Sequence, residues 1–444
     1  MIIRSISGVR GIAKTSLTPK VIKLYAHAFH DQIPNGLIYL GRDSRPSGED
    51  ILEIFSNELI SLGRDIVNCG IVPTPTVQFM VERSEAAGGV IITASHNPEE
   101  WNGMKFVRND GTFFYPDECE NLFNKVDTNF IQDKTSKKGM YFPDQNSILK
   151  HVIHIVELSC IDLKRIKAQK YKVVIDCVNG AGSTALPLLL EYLGCNVITV
   201  HCDGSGQFNR GTEPLPNNLE DLRKKVLDNK ADIGFAVDPD ADRLAIVNNF
   251  GIPLGEEYTL VLAAEGYAKE TGNPQNFVTN LSTTIALEKM AEKSNSKVHR
   301  TAVGEINVVK KMIEIDSNIG GEGNGGVILK EAHLGRDSLV GVAMILNRMS
   351  QDLDMTITEI HSALPQFSIV KDKIQLDHTN EVELINKAEN LFKDSIVDLT
   401  DGYKFSWPDK WIHLRKSNTE PIIRIYAEAA TSKEAKTLIQ KLKS

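Results

Sequence analysis

Long hydrophobic runs are missing from this 444-residue chain. The richest, Val340–Leu346, contains a glycine and falls well short of the ~18–20 apolar residues that a membrane-spanning helix needs. The opening MIIRSISGVRGIAK has no continuous apolar segment of the signal-peptide kind, because Arg4, Ser5, Ser7, Gly8 and Arg10 interrupt it. A cytoplasmic protein without a membrane partner is therefore expected. Cysteine is scarce: six residues, at 69, 119, 160, 177, 195 and 202, form no CxxC pair, which argues against a disulfide framework. They read as buried thiols without a catalytic or metal role. An excess of positive charge is also lacking. Fifty Lys and Arg against 58 Asp and Glu leave a net charge of −8, which weakly repels nucleic-acid phosphates, so no nucleic-acid partner is expected. With 41% hydrophobic residues, the chain instead has the apolar material of a soluble globular protein, enough for about two to four domains.

Apolar periodicity orders that material. Short strand-like runs alternate with longer amphipathic stretches, as in GLIYLGRD, ILEIFSNELISLGR, DIVNCG and GGVIITA, the pattern of βαβ units and a parallel sheet. The pattern restarts at YKVVIDCV (171–178) and again at QNFVTN (275–280). Turn-rich segments at 132–146 and 248–255 suggest boundaries, and after 362–374 the texture changes to that of a smaller α+β unit. The expected domains are 1–146, 147–252, 253–366 and 367–444.

Four segments could carry chemistry. In FAVDPDADRLAIV (235–247) an apolar strand delivers Asp238, Asp240 and Asp242 at alternate positions of an extended loop, where their repulsion calls for a hard dication such as Mg2+. An EF-hand is excluded by Arg243 and Asn249, which stand where that loop needs Gly and Glu. An acidic turn between two strands is the plainer alternative. In GGVIITASHNPEEWNGMKF (88–106) a strand ends at Ser95, His96, Asn97 and Pro98, the end at which α/β sheets place ligands. Alone, Asn-Pro is a turn signal. Beside an Asp loop and Lys105, Ser95 becomes a possible covalent phosphoryl carrier, since such transfer asks mainly for positive charge around the moving oxygens. GGEGNGGV (320–327) offers Glu322 and Asn324 in a glycine-rich turn suited to sugar hydroxyls, or simply a tight turn. LRKSNTEPIIRIYAE (414–428) gathers Arg415, Ser417, Asn418, Thr419 and Arg424, a donor set suited to a phosphate dianion, or a solvated basic turn. Arg10, between glycines in SGVRG, is suggestive only.

A rival motif is VVIDCVNGAGSTA (173–185), where Gly180-x-Gly182-x-x-Ala185 follows a strand and Asp203 comes after the next, as in a dinucleotide fingerprint. Asp176 and Asn179 in the approach and Pro187 in the first turn of the helix weigh against it. A hydride transferase would also leave Ser95 and the Asp triplet without a role.

TASHNP followed by Asn102, Gly103 and Lys105, then DPDADR, GEGNGG and RKSNTEP, in this order, resemble the α-D-phosphohexomutase family over nearly the whole chain. That resemblance implies three similar α/β domains with mixed sheets plus a C-terminal α+β domain around a central cleft. It implies catalytic residues Ser95, Lys105, Arg10 and His96, with Ser95 phosphorylated and Lys105 as general acid or base. Mg2+ would be held by Ser95, Asp238, Asp240 and Asp242. Arg243, Glu322, Asn324, Gly325, Arg415, Ser417, Asn418, Thr419 and Arg424 would bind a sugar phosphate, with a hexose bisphosphate as intermediate. A monomer or homodimer is expected. GEGNGG, TAVGEINVV (301–309) and HLGRDS (333–338) look most like the archaeal-type phosphoglucosamine mutase branch, with phosphomannomutase or phosphoglucomutase activity as the alternative. Two departures stand out: Gly326 and Asn324 occupy positions where many relatives have His and Ser. More distant readings are a sugar phosphatase using Asp238, and a non-catalytic sugar-phosphate sensor.

Overall fold

The computed structural model describes residues 2–272, 274–376, 381–416 and 422–444. Each α/β unit grows around strands that are apolar on both faces. Gly88–Ile92, Ile233–Val237 and Leu244–Asn248 are buried at every position, as expected for strands covered by helices above and below.

The first sheet has seven strands in the order Ile2–Ser5, Gly8–Ile12, Trp101–Arg108, Gly88–Ile92, Ile38–Arg42, Ile66–Ile71 and Tyr141–Pro143. Its Gly88–Ile92 strand runs parallel to Ile38–Arg42 and antiparallel to Trp101–Arg108, so the sheet is mixed. The turn-rich segment around 140 thus supplies an edge strand. The second sheet orders Leu244–Asn248, Ile233–Val237, Lys172–Asp176 and Asn196–Val200; the third orders Lys297–Thr301, Asn276–Asn280, Ile319–Glu322 and Gly326–Leu329. Both are mixed, with one antiparallel pair apiece. The C-terminal sheet is antiparallel throughout, in the order Ser368–Gln375, Ile422–Ala429, Lys410–Lys416, Tyr403–Trp407 and Ile396–Asp398, and packs against helices Glu381–Leu391 and Ser432–Lys443. The architecture is that of three α/β units with mixed sheets followed by an α+β unit.

The second and third units share one hydrophobic core, which runs from Val152 to Leu364. The apolar run at 340–346 explains it. Helix Ser338–Ser350 is buried at all of its positions, so it packs on helices of both units. Its two long polar side chains are satisfied inside: Asn347 Nδ2 donates to Cys160 O at 2.9 Å, and Arg348 Nε to Glu265 at 2.6 Å. No described helix is long and apolar enough to cross a membrane.

Two expectations need correction. Pro187 lies inside helix Gly182–Tyr192, beyond its first turn. Four cysteines are buried as expected, but Cys195 and Cys202 are partly exposed, because they flank an edge strand whose outward positions face solvent.

Candidate active site

The carboxyl ends of three central strands point into one region, where α/β sheets place ligands. Gly88–Ile92 leads to Ser95, Ile233–Val237 to Asp238, and Ile319–Glu322 ends on Glu322.

Ser95 is held in a left-handed backbone conformation, φ +52°, which costs a non-glycine residue energy and persists only where its surroundings enforce it. Arg45 is the main restraint. Its guanidinium is fully buried, pairs with Asp43 and donates to the carbonyls of Ser95 (2.7 Å) and Asn97. Thr93 Oγ1 accepts from Ser95 N at 2.8 Å and itself donates to Asp43 at 2.6 Å. Gly103 lets strand Trp101–Arg108 come close beside this loop, since a Cβ there would meet Thr93 O at 2.7 Å and Val9 O at 2.3 Å. That approach aims Lys105 into the site.

The Asp segment is a tight turn, not an extended loop. Asp238 Oδ1 accepts from the amides of Asp242 and Arg243, both at 3.2 Å, and Ala241 takes φ +53°. Turning brings one oxygen of each carboxylate within 4.8 Å of the others, all three side chains being fully buried. Ser95 Oγ lies 3.4 Å from Asp238 Oδ2. Lys105 Nζ donates to Asp240 at 2.7 Å and to Asp242 at 3.1 Å, and Thr74 Oγ1 donates to Asp240 at 2.7 Å. Even so, Asp240 Oδ1 and Asp242 Oδ1 are buried without a hydrogen-bond partner. Unpaired carboxylate oxygens, converging with Ser95, form an all-oxygen donor set that fits a hard dication such as Mg2+.

Electrostatics separate the carboxylates. Burial and the neighbouring Asp242 and Asp240 push Asp238 well above the usual range. Burial also opposes the charge on Asp242, but Arg336, Lys105 and Arg243 outweigh it and hold that group well below. Lys105 loses solvation on burial and is nevertheless raised, because Asp240 and Asp242 favour its ammonium form. His96 is pushed down to about 2 by burial and by Arg243 and Arg10, so its ring is neutral; Nδ1 sits 3.4 Å from Ser95 Oγ. Arg10 reaches the same loop through Asn97 Oδ1 at 2.8 Å. Arg243 pairs with Glu213 at 3.0 Å and lies near Asp238 and Asp242.

Glu322 and Asn324 lie on the hairpin between Ile319–Glu322 and Gly326–Leu329. Its turn is fixed by Gly325 at φ +88°, whose carbonyl accepts from Leu244 N at 3.0 Å, just past the Asp turn. Glu322 is buried and accepts from Asn280 Nδ2 (2.7 Å), Gly304 N (3.0 Å) and Arg336 Nη1 (2.8 Å). Asn324 Nδ2 lies 3.4 Å from it. Arg415 and Arg424 face each other across two strands of the C-terminal sheet, with Arg415 3.4 Å from Asp401. Ser417, Asn418 and Thr419 lie outside the described residues.

Arg336 was assigned no role on sequence grounds, yet it joins Asp242 (2.7 Å), Glu305 (3.0 Å) and Glu322 (2.8 Å). Arg45, Thr74 and Glu213 were missed too. Arg45 and Arg336 lie in the charged segments GRDSRP (41–46) and HLGRDS (333–338), and nothing local says which loops these meet.

A strained serine beside a buried oxygen-donor triplet, ringed by cations at the ends of α/β strands, is an arrangement suited to phosphoryl transfer. Family profiles match most of the chain. Those of phosphoglucomutase/phosphomannomutase alpha/beta/alpha domains I, II and III match residues 2–132, 149–251 and 255–367, and that of the C-terminal domain matches 369–443. The chain belongs to this family, the α-D-phosphohexomutases, and is an intramolecular phosphotransferase of the isomerase class. It is 34% identical to a phosphoglucomutase/phosphomannomutase of Thermococcus kodakarensis over 98% of this chain and 96% of that one. It is 32% identical to a phosphoglucosamine/phosphogalactosamine mutase of Sulfurisphaera tokodaii, covering 98% and 97%. The crystal structure of a phosphoglucomutase/phosphomannomutase family protein from Burkholderia thailandensis shares the fold, with a TM-score of 0.86 at 24% identity over 99% and 97% of the two chains.

Proposed function

We propose that the chain is a phosphoglucosamine mutase, interconverting glucosamine 6-phosphate and glucosamine 1-phosphate through a phosphorylated Ser95 and a hexose bisphosphate. The observation that carries the chemistry is Ser95 Oγ at 3.4 Å from Asp238, within a triplet that keeps two unpaired carboxylate oxygens. Similarity to the Sulfurisphaera tokodaii enzyme supports the amino sugar. Mg2+ held by Asp238, Asp240, Asp242 and the Ser95 phosphate would stabilise charge on the transferring oxygens.

The chain's own residues do the rest. The sugar hydroxyl oxygen bonds to phosphorus as the Ser95 Oγ–P bond breaks; the proton released by the hydroxyl makes up the one taken up by Ser95 Oγ, so no net proton is gained or lost. Lys105, charged between two carboxylates, serves as general acid or base, and the neutral His96 ring is within reach of Ser95 Oγ. Arg10 and Arg243 offset the charge around the transfer. The bisphosphate then turns over and returns its other phosphate to Ser95, so the original sugar phosphate becomes its isomer. Glu322, Asn324 and Gly325 would meet the sugar hydroxyls. Arg415, Ser417, Asn418, Thr419 and Arg424 would grip the phosphate that is not reacting.

A second reading, a phosphoglucomutase or phosphomannomutase, is favoured by the Thermococcus kodakarensis relative. Turnover of glucosamine, glucose and mannose phosphates by one preparation decides between them: glucosamine 6-phosphate should give the highest kcat/KM, and a preference for glucose or mannose phosphate overturns the first reading. Ser95→Ala should lose the phosphorylated species by intact mass and at least about 10⁴-fold in kcat. An active Ser95→Ala would remove the whole mechanism.

A further inference from the structure

A second cluster of ligating side chains lies behind the Asp turn. His151, on helix Ser147–Val156, meets His333 and Asp337 from the segment leading into helix Ser338–Ser350. All three are essentially inaccessible, at 0%, 0% and 1% exposure. Both ring Nε2 atoms converge on one oxygen: His151 Nε2 lies 3.0 Å and His333 Nε2 3.1 Å from Asp337 Oδ2. The other oxygen, Oδ1, caps the helix by accepting from Leu339 N at 2.8 Å.

Hydrogen bonding alone does not satisfy this arrangement. His151 Nε2, despite its closeness to Asp337, is buried without a hydrogen-bond partner, and so is His333 Nδ1. Nearby, Gln78 Oε1 and Glu82 Oε2 are buried acceptors that are equally unpaired. Glu82 is raised mainly by burial and lies close enough to His333 to interact with it electrostatically. A buried polar atom without a hydrogen bond, such as His333 Nδ1, is unusual in a protein interior, where each costs about 1–3 kcal/mol.

We propose that His151, His333 and Asp337 form a binding site for a late first-row dication of the Zn2+ class, supplying three of its four tetrahedral ligands. Donors on a tetrahedral Zn2+ with bonds of about 2.0–2.2 Å stand about 3.3–3.6 Å apart, so separations of 3.0 and 3.1 Å need only a few tenths of an ångström of opening. Binding through both Nε2 lone pairs places the ring protons on Nδ1. His151 Nδ1–H then donates to Thr76 Oγ1, 3.1 Å away, and the buried His333 Nδ1 becomes a donor. Two imidazoles and one carboxylate suit Zn2+, whereas Mg2+ demands oxygen, so the two sites select different ions.

The site would brace the molecule where three units meet. Thr76 and the Phe79 ring stacked on His151 at 4.8 Å belong to helix Thr74–Glu82 of the first unit. Next to Asp337, Arg336 holds Asp242, and Ser338 Oγ donates to Ala241 O at 2.7 Å.

The test titrates Zn2+ into the full-length chain after metal removal, in millimolar Mg2+ so that the Asp triplet is occupied. One equivalent of Zn2+ should bind, and His151→Gln or His333→Gln should each weaken it by more than about 100-fold, while Asp240→Asn leaves it unchanged. No uptake by the wild-type chain, uptake that survives both histidine changes, or uptake lost in Asp240→Asn overturns the proposal. X-ray absorption of the Zn2+-loaded wild type needs no variant to fold. Two imidazole ligands are expected, and a shell of oxygen alone refutes the site.

Discussion

Arg336 shows how one residue can carry much of a site. Three buried carboxylates, Asp242, Glu305 and Glu322, belong to three different segments, and this guanidinium is the charge they share. Its planar fork places Nε, Nη1 and Nη2 apart, so three acceptors can each meet a different nitrogen, whereas a lysine would offer them a single Nζ. Arg336→Met should therefore leave buried carboxylates uncompensated and lower stability by about 3–5 kcal/mol in urea unfolding. It should also lower kcat, because the Asp turn and the Glu322 hairpin lose their common anchor. A variant of unchanged midpoint would show that the carboxylates find other partners. The sequence hid this residue because 94 positions separate it from Asp242. The Asp triplet was legible for the opposite reason: its three carboxylates lie within five residues, so their repulsion is a local fact.

At the scale of elements, the alternation of strand and helix was readable wherever apolar period and length agreed, as in Gly88–Ile92 or Ile233–Val237. Conformation within loops was less so. Alternation at Asp238, Asp240 and Asp242 suggested an extended segment, but hydrogen bonds from the Asp238 side chain wind it into a turn. The C-terminal sheet docks on the third unit through contacts no periodicity reveals. Ser282 Oγ meets His413 Nδ1 at 3.0 Å, Lys404 Nζ donates to Leu281 O at 2.6 Å, Asp401 accepts from Val303 N at 2.9 Å, and Glu428 from Ile285 N at 2.8 Å. Burial lowers His413 from 6.5 to about 4. The unfolded chain therefore takes up this proton first, and stability falls as pH drops from about 6.5 towards 4, by up to about 3 kcal/mol from this ring alone. Glu257, raised from 4.5 to about 7 mainly by burial, acts with the opposite sign over an overlapping range. The test is accordingly the difference between wild type and His413→Gln: the variant's denaturant midpoint should depend less on pH between 6.5 and 4. Parallel profiles would exclude the ring as the cause.

For the whole molecule, charge and core act at different scales. A chain of net charge −8 still concentrates Lys105, Arg10, Arg243 and Arg336 around one triplet, so the site is cationic around its carboxylates. Folding is expected not to depend on a dication at that triplet, because a continuous core spans the second and third units and the first has its own. Omitting Mg2+, without adding a chelator, should abolish turnover while leaving the circular dichroism and urea midpoint nearly unchanged. Unfolding on omission would mean the ion is structural. What the sequence determined by itself is what depends on neighbours in the chain: the strand and helix periods, the carboxylates two apart, and the Ser95 loop at a strand end. What only the tertiary structure decided is which loops meet. Arg336, Thr74 and Arg45 act on residues far along the chain, and the His151, His333 and Asp337 cluster spans 186 positions, so chain folding alone sets their contacts.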